Sequence, residues 1–197
     1  MEWKEVRELD DIKLNIGGRR DHCPKRHYEG WVAVDRRSNG AGYSVRHNFP
    51  NKMGVEDAST DAILSEHFLE HVTLGNAHLI FCECLRALKQ GGKLRVAVPD
   101  INHPRNEADR KKGRDSSPYH KSIYSLDSLT GMLAVAGFRI IEPMSFWLYK
   151  PEYKHTHRRI DWNDGWVRRT VGHDRRNRQR RPFGKLWATS LIVDAIK

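Results

Sequence analysis

The stretch from Asp61 to Asp100 constrains the fold of this 197-residue chain more than any other. Ala62-Ile63-Leu64 is a short buried run announced by Asp61. Between Asn76 and Lys89, the residues Ala77, Ile80, Phe81, Cys84, Leu85 and Leu88 recur on one face at a period of 3.6. That spacing predicts an amphipathic helix, with Lys89 in its last turn and Gly91-Gly92 ending it. Leu94–Val98 then reads as a strand, closed by Pro99-Asp100. A strand, a helix and a strand in succession are the building unit of a parallel sheet.

The flanking sequence extends the pattern. Lys13-Leu14-Asn15-Ile16 reads as a buried strand stopped by Gly17-Gly18, and Trp31-Val32-Ala33-Val34-Asp35 as a second one ending on an acid. The residues between them are charged and carry Pro24, so any helix there is short. Ser125 is the N-cap of a helix with Leu126, Leu129, Met132, Leu133 and Ala136 inward, and Gly137 is its C′ residue. Phe138–Ile141 and Ser190–Val193 read as the last two strands, and residues 101–121 as a loop. The expectation is one α/β domain over residues 1–197 on a mostly parallel sheet.

Composition narrows the class. The longest apolar stretches fall short of the ~20 residues a membrane helix needs, and the charged start Met1–Glu5 lacks an apolar signal-peptide core. A cytoplasmic protein is the expectation. Cys23, Cys82 and Cys84 are odd in number and lack C-x-x-C spacing, against a disulfide framework or a structural zinc site; Cys84 lies on the apolar helix face. Of the net charge of +10, seven come from residues 158–185, which hold ten Lys or Arg against three Asp. Such a block favours anionic partners.

In an open α/β sheet, ligands bind beyond the carboxyl ends of the strands. The residues there are Gly17 and Gly18, Asp35, Glu66 and His67, and Asp100. A glycine pair lets backbone approach a ligand closely, and an acid after the second strand suits ribose hydroxyls.

The string KLNIGG…GWVAVD…DAILSEHFLEHV…LIFCECLRALKQGGKLRVAVPD resembles the class I S-adenosylmethionine (SAM)-dependent methyltransferases over roughly residues 12–141, and ATSLIVDAIK resembles their final strand. The resemblance implies a Rossmann-like sheet with an antiparallel final strand, and SAM as the cofactor. It also implies that Asn15, Gly17 and Gly18 line the methionine part of SAM and that Asp35 holds the ribose. Asn48 would lie near the adenine with Phe49 beside it, and Glu66 and His67 beside the sulfonium and the incoming acceptor. Arg19 stands where the family usually has another glycine.

His67, Glu70 and His71 also spell H-x-x-E-H, an inverted zinc-protease motif. That motif needs both histidines inside one long helix, whereas His67 follows a buried strand by two residues. No metal is expected. An imidazole is the usual general base near neutral pH, which makes His67 the first candidate to take a proton from the acceptor and Asp100 the second.

Residues 142–189 form an insertion in which Trp147, Tyr149, Tyr153, Trp162, Trp166, Phe183 and Trp187 interleave with arginines. Aromatic faces stack on sugars or bases while arginines take phosphates or carboxylates. The expected acceptor is an anionic, sugar-containing or small phosphorylated molecule, with RNA second. The competing reading is a SAM-independent module of the same fold that binds nucleic acid.

Overall fold

The computed structural model describes residues 1–18, 30–38, 43–106, 111–112, 117–148, 154–157 and 190–197. Arg19, Cys23 and the basic segment 158–185 lie outside these residues. The strands are β1 (Lys13–Ile16), β2 (Trp31–Asp35), β3 (Ser44–Arg46), β4 (Thr60–Glu66), β5 (Leu88–Pro99), β6 (Ile140–Leu148), β7 (Lys154–His157) and β8 (Ser190–Ile196). They pair into one sheet in the order β3-β2-β1-β4-β5-β8-β6-β7. Every pairing from β3 to β5 is parallel, while β8 runs antiparallel to both β5 and β6. This is the expected Rossmann-like sheet with an antiparallel last strand.

The described helices include α1 (Trp3–Val6), α2 (Leu74–Ala87) and α3 (Leu126–Ala136). Period-2 alternation along the strands sorts the core. Leu14 and Ile16, Val32 and Val34, Leu94, Val96 and Val98, and Leu191, Val193 and Ala195 join the main cluster with Ala77, Ile80, Phe81, Cys84, Leu129 and Leu133 of the helices. Cys84 is wholly buried there, and burial pushes its thiol up, so it is a small core residue. The opposite face carries Trp31, Ala62, Leu64, Ala97, Met144 and Ile192. On that face Arg95 and Asp194 form a buried bidentate pair across β5 and β8, with Nε–Oδ1 and Nη2–Oδ2 both 2.6 Å. Lys93 Nζ reaches the same carboxylate at 3.3 Å.

Several boundaries differ from the sequence reading. Helix α2 starts at Leu74 because the Thr73 hydroxyl accepts from Asn76 N–H. It ends at Ala87, since Leu88 turns extended, buries its side chain and enters β5; Gly91 (φ 78°) bends that strand instead of capping the helix. Gly137 does cap α3, at φ 108°. Strand β6 runs on to Leu148 and forms a hairpin pairing with β7, so residues 142–148 of the expected insertion belong to the sheet. No helix among the described residues is long and apolar enough to cross a membrane.

Candidate active site

The order β3-β2-β1-β4-β5 places a topological switch point between β1 and β4, where adjacent connections leave in opposite directions and open a crevice. Ile16 pairs with Ser65, so Gly17 and the end of β4 face one another across it. Gly17 sits at φ 72° with its N–H donating to Val34 O at 2.8 Å. A β-carbon there would lie 2.2 Å from Phe68 Cγ, and one at Gly18 would lie 2.4 Å from Asn15 Cγ. Both glycines are thus required by packing within the chain: the Phe68 ring lies on Gly17 and the Asn15 amide beneath Gly18. Asn15 is 4 % exposed, and its Oδ1 is buried without a hydrogen bond among the described residues.

Asp35 closes β2 half-buried, and its Oδ1 accepts from Arg37 N–H at 2.7 Å, so the carboxylate is held by its own turn. Beyond β3, Asn48 is exposed and Phe49 packs between His47 (centroids 4.7 Å apart) and Phe68 (5.4 Å). The predicted adenine-side and methionine-side residues are therefore joined through one aromatic contact, Phe49 to Phe68.

His67 follows β4 in a left-handed conformation, φ 51°, which a residue with a side chain adopts only where its surroundings impose it. Here the constraint is explicit. Its N–H donates to Ala97 O of β5 at 2.8 Å, Nδ1 meets Glu70 Oε1 at 3.1 Å, and Nε2 meets Ser190 Oγ at 2.8 Å. A carboxylate accepts but does not donate, so Nδ1 carries the proton and Nε2 takes the Ser190 hydroxyl hydrogen. The His67 side chain is 16 % exposed, and that of Glu70 is 2 % exposed. A buried acid orienting an imidazole whose other nitrogen can accept a proton is an arrangement that can act as a general base.

Asp100 stands differently. It is wholly buried; Oδ1 accepts from Asn102 N–H at 2.9 Å and Oδ2 from Trp147 N–H at 2.8 Å. Burial raises its carboxyl to about 6, opposed by those two bonds. Asp100 ties the loop after β5 to β6. Glu66 ends β4, half-buried, opposite Ala97.

The residues that sequence reasoning missed are Glu70 as the partner of His67, Phe68 as the cover of Gly17, and Ser190. The i, i+3 spacing of His67 and Glu70 was a usable signal, because it returns a side chain to the same side of a turn. Ser190 is 123 residues from His67 and gave none.

Comparison with known proteins bears on the fold that carries these residues. Residues 30–96 match the family model described as a methyltransferase domain. No curated protein matches the chain. Among solved structures, the chain is similar to a SAM-dependent methyltransferase from Archaeoglobus fulgidus, with a TM-score of 0.61 at 18 % identity over 99 % of this chain and 90 % of that one. It is also similar to a SAM-dependent methyltransferase from Thermotoga maritima described as a possible histamine N-methyltransferase, with a TM-score of 0.56 at 15 % identity over 99 % and 86 % of the two chains.

Proposed function

We propose that this chain, a class I SAM-dependent methyltransferase by its fold and by the methyltransferase-domain sequence of residues 30–96, methylates an oxygen or nitrogen of a small anionic, sugar-containing or phosphorylated acceptor. The residues at the crevice suit SAM. The Asn15 Oδ1, buried without a partner among the described residues, suits an ammonium group as acceptor, and Asp35 at the end of β2 suits ribose hydroxyls. Phe49 offers an apolar ring near the expected adenine side, with Asn48 exposed beside it.

When bound, SAM supplies a methyl group on a sulfonium, already a good electrophile. The chain's own part is to bind, to orient and to take a proton. Glu70 holds His67 in the tautomer that leaves Nε2 as the proton acceptor, and the His67 N–H bond to Ala97 fixes the ring's origin on β5. An acceptor hydroxyl entering over the exposed edge of the ring replaces the Ser190 hydroxyl as donor to Nε2 and passes its proton there. Positioning and exclusion of water supply the remaining rate enhancement.

The observation that carries this reading is the Ser190–His67–Glu70 chain of hydrogen bonds at the switch point. The acceptor class rests on the sequence of residues 158–185, through their arginines and interleaved aromatic rings. Labelled methyl transfer from SAM to a panel of sugar phosphates and uronic acids tests it. The His67→Gln variant is expected to bind S-adenosylhomocysteine as wild type does and to lose roughly 10²–10⁴-fold in kcat. Replacing Arg175, Arg176 and Arg178 together by Ala is expected to abolish acceptor binding and leave cofactor affinity intact. Full kcat in His67→Gln refutes the base assignment; unchanged acceptor binding in the triple variant refutes the acceptor class.

A further inference from the structure

The turn after β4 carries ligand-type side chains beyond the hydrogen bond between Glu70 and His67. Glu70, His71 and His120 each offer one ligand atom, and these atoms lie within 4.8 Å of one another. Glu70 is the informative member. Its Oε1 accepts from His67 Nδ1, while Oε2 is shut off from solvent and has no hydrogen-bond partner among the described residues. A buried carboxylate oxygen left in that state is costly unless a cation or a donor meets it.

His71 Nδ1 lies 3.0 Å from Tyr119 O. A carbonyl accepts, so Nδ1 carries the proton and Nε2 keeps its lone pair. A carbonyl behind the far ring nitrogen is the usual means of fixing a metal-binding histidine. The His71 and His120 rings meet edge to face, with centroids 5.0 Å apart. The two segments bearing these ligands are fastened together independently. Lys121 N–H and Ser122 N–H donate to Glu70 O at 2.7 and 3.2 Å, Ser122 Oγ donates to Val72 O at 2.7 Å, and Tyr124 Oη donates to Leu69 O at 3.2 Å.

We propose that Glu70, His71 and His120 bind a divalent transition-metal ion of the zinc type. Two imidazoles and a carboxylate suit zinc and its neighbours, whereas magnesium and calcium favour all-oxygen shells. Three protein ligands leave a coordination position open. This site differs from the protease motif, which pairs His67 with His71. Here His67 is engaged by Glu70 and Ser190, and the third ligand comes from the segment ahead of α3. The ion pins that segment to the turn and holds Glu70, and through it His67. The proposal departs from the expectation of no metal drawn from the motif's context.

Zinc chloride titrated into the chelator-stripped full chain, without SAM, tests the proposal independently of the methyltransferase reading. Calorimetry, metal content after desalting and thermal unfolding are the readouts. One zinc per chain is expected, with a rise of several degrees in Tm at a hundredfold excess over Kd. Both are expected to disappear in Glu70→Gln and in His120→Ala, and to persist in His78→Ala, whose ring lies on α2 outside the cluster. Because Glu70→Gln also removes His67's partner, His120→Ala carries the decision. No zinc retained by wild type, or equal uptake by His120→Ala, overturns the site.

Discussion

A β-carbon at Gly18 would fall 2.4 Å from Asn15 Cγ and 2.5 Å from both Nδ2 and Oδ1, all side-chain atoms. Asn15 is short and 4 % exposed, so it has little room to move aside. Gly18→Ala is therefore expected to destabilise the fold by about 1–3 kcal/mol, the usual cost of forcing a methyl into filled space. In an Asn15→Ala background the three clashing atoms are gone. There the same substitution should be neutral or stabilising by about 0.4–1 kcal/mol, because alanine restricts the unfolded chain more than glycine does. The coupling between the two sites is then on the order of 1–3 kcal/mol, large for a pair of such small side chains. Urea unfolding of the wild type, both single variants and the double variant measures it. Equal costs for Gly18→Ala in the two backgrounds would show that the glycine is not required by Asn15, and the reasoning would fail.

Two other perturbations test the frame around the site. Burial holds the Asp100 carboxyl at about 6, against 3.8 in the unfolded chain, so the folded state binds the extra proton between those values. Its contribution to stability should accordingly be complete below pH 4 and fall by about 3 kcal/mol as pH rises through 6, with a slope of ~1.4 kcal/mol per pH unit between the two values. Urea unfolding at pH 4 and pH 7 should show this contribution in wild type and its loss in Asp100→Asn; an identical pH dependence in both would refute it. At the buried pair, Asp194→Ala should cost about 3–5 kcal/mol, because Arg95 is left charged in the core, whereas replacing Arg95 and Asp194 together by Met and Leu should cost much less. A double variant as unstable as the single one, by the same assay, would contradict that account.

The parallel half of the sheet was legible because its signals are local. Buried runs of three to five residues, one clear helical period and glycines at the turns were enough to place β1, β2, β4, α2 and α3. Strand β3 was not visible, because Ser44-Val45-Arg46 is three residues long and holds a single apolar side chain, Val45. The β6–β7 hairpin was hidden for a related reason: Pro143 within β6 and the polar run of β7 mask a strand that pairing makes stable.

At the site, the strand-end residues Gly17, Asp35 and His67 could be read from position, while the physical reason for the glycines could not. Their clearance is filled by Phe68 and Asn15, and only the folded chain brings those side chains over and under the turn. Ser190 and His120 reach the site across sheet and loop closure, and no local pattern marks them.

Binding of the cofactor is the most direct test of the whole account, and calorimetric titration of S-adenosylhomocysteine into wild type and Asp35→Ala measures it. The account predicts one molecule bound per wild-type chain. It also predicts that the alanine variant binds roughly ten- to a hundredfold more weakly, as expected for about 1.5–3 kcal/mol of lost hydrogen bonding to a charged acceptor. No binding to wild type, or equal affinity in the two proteins, would contradict it.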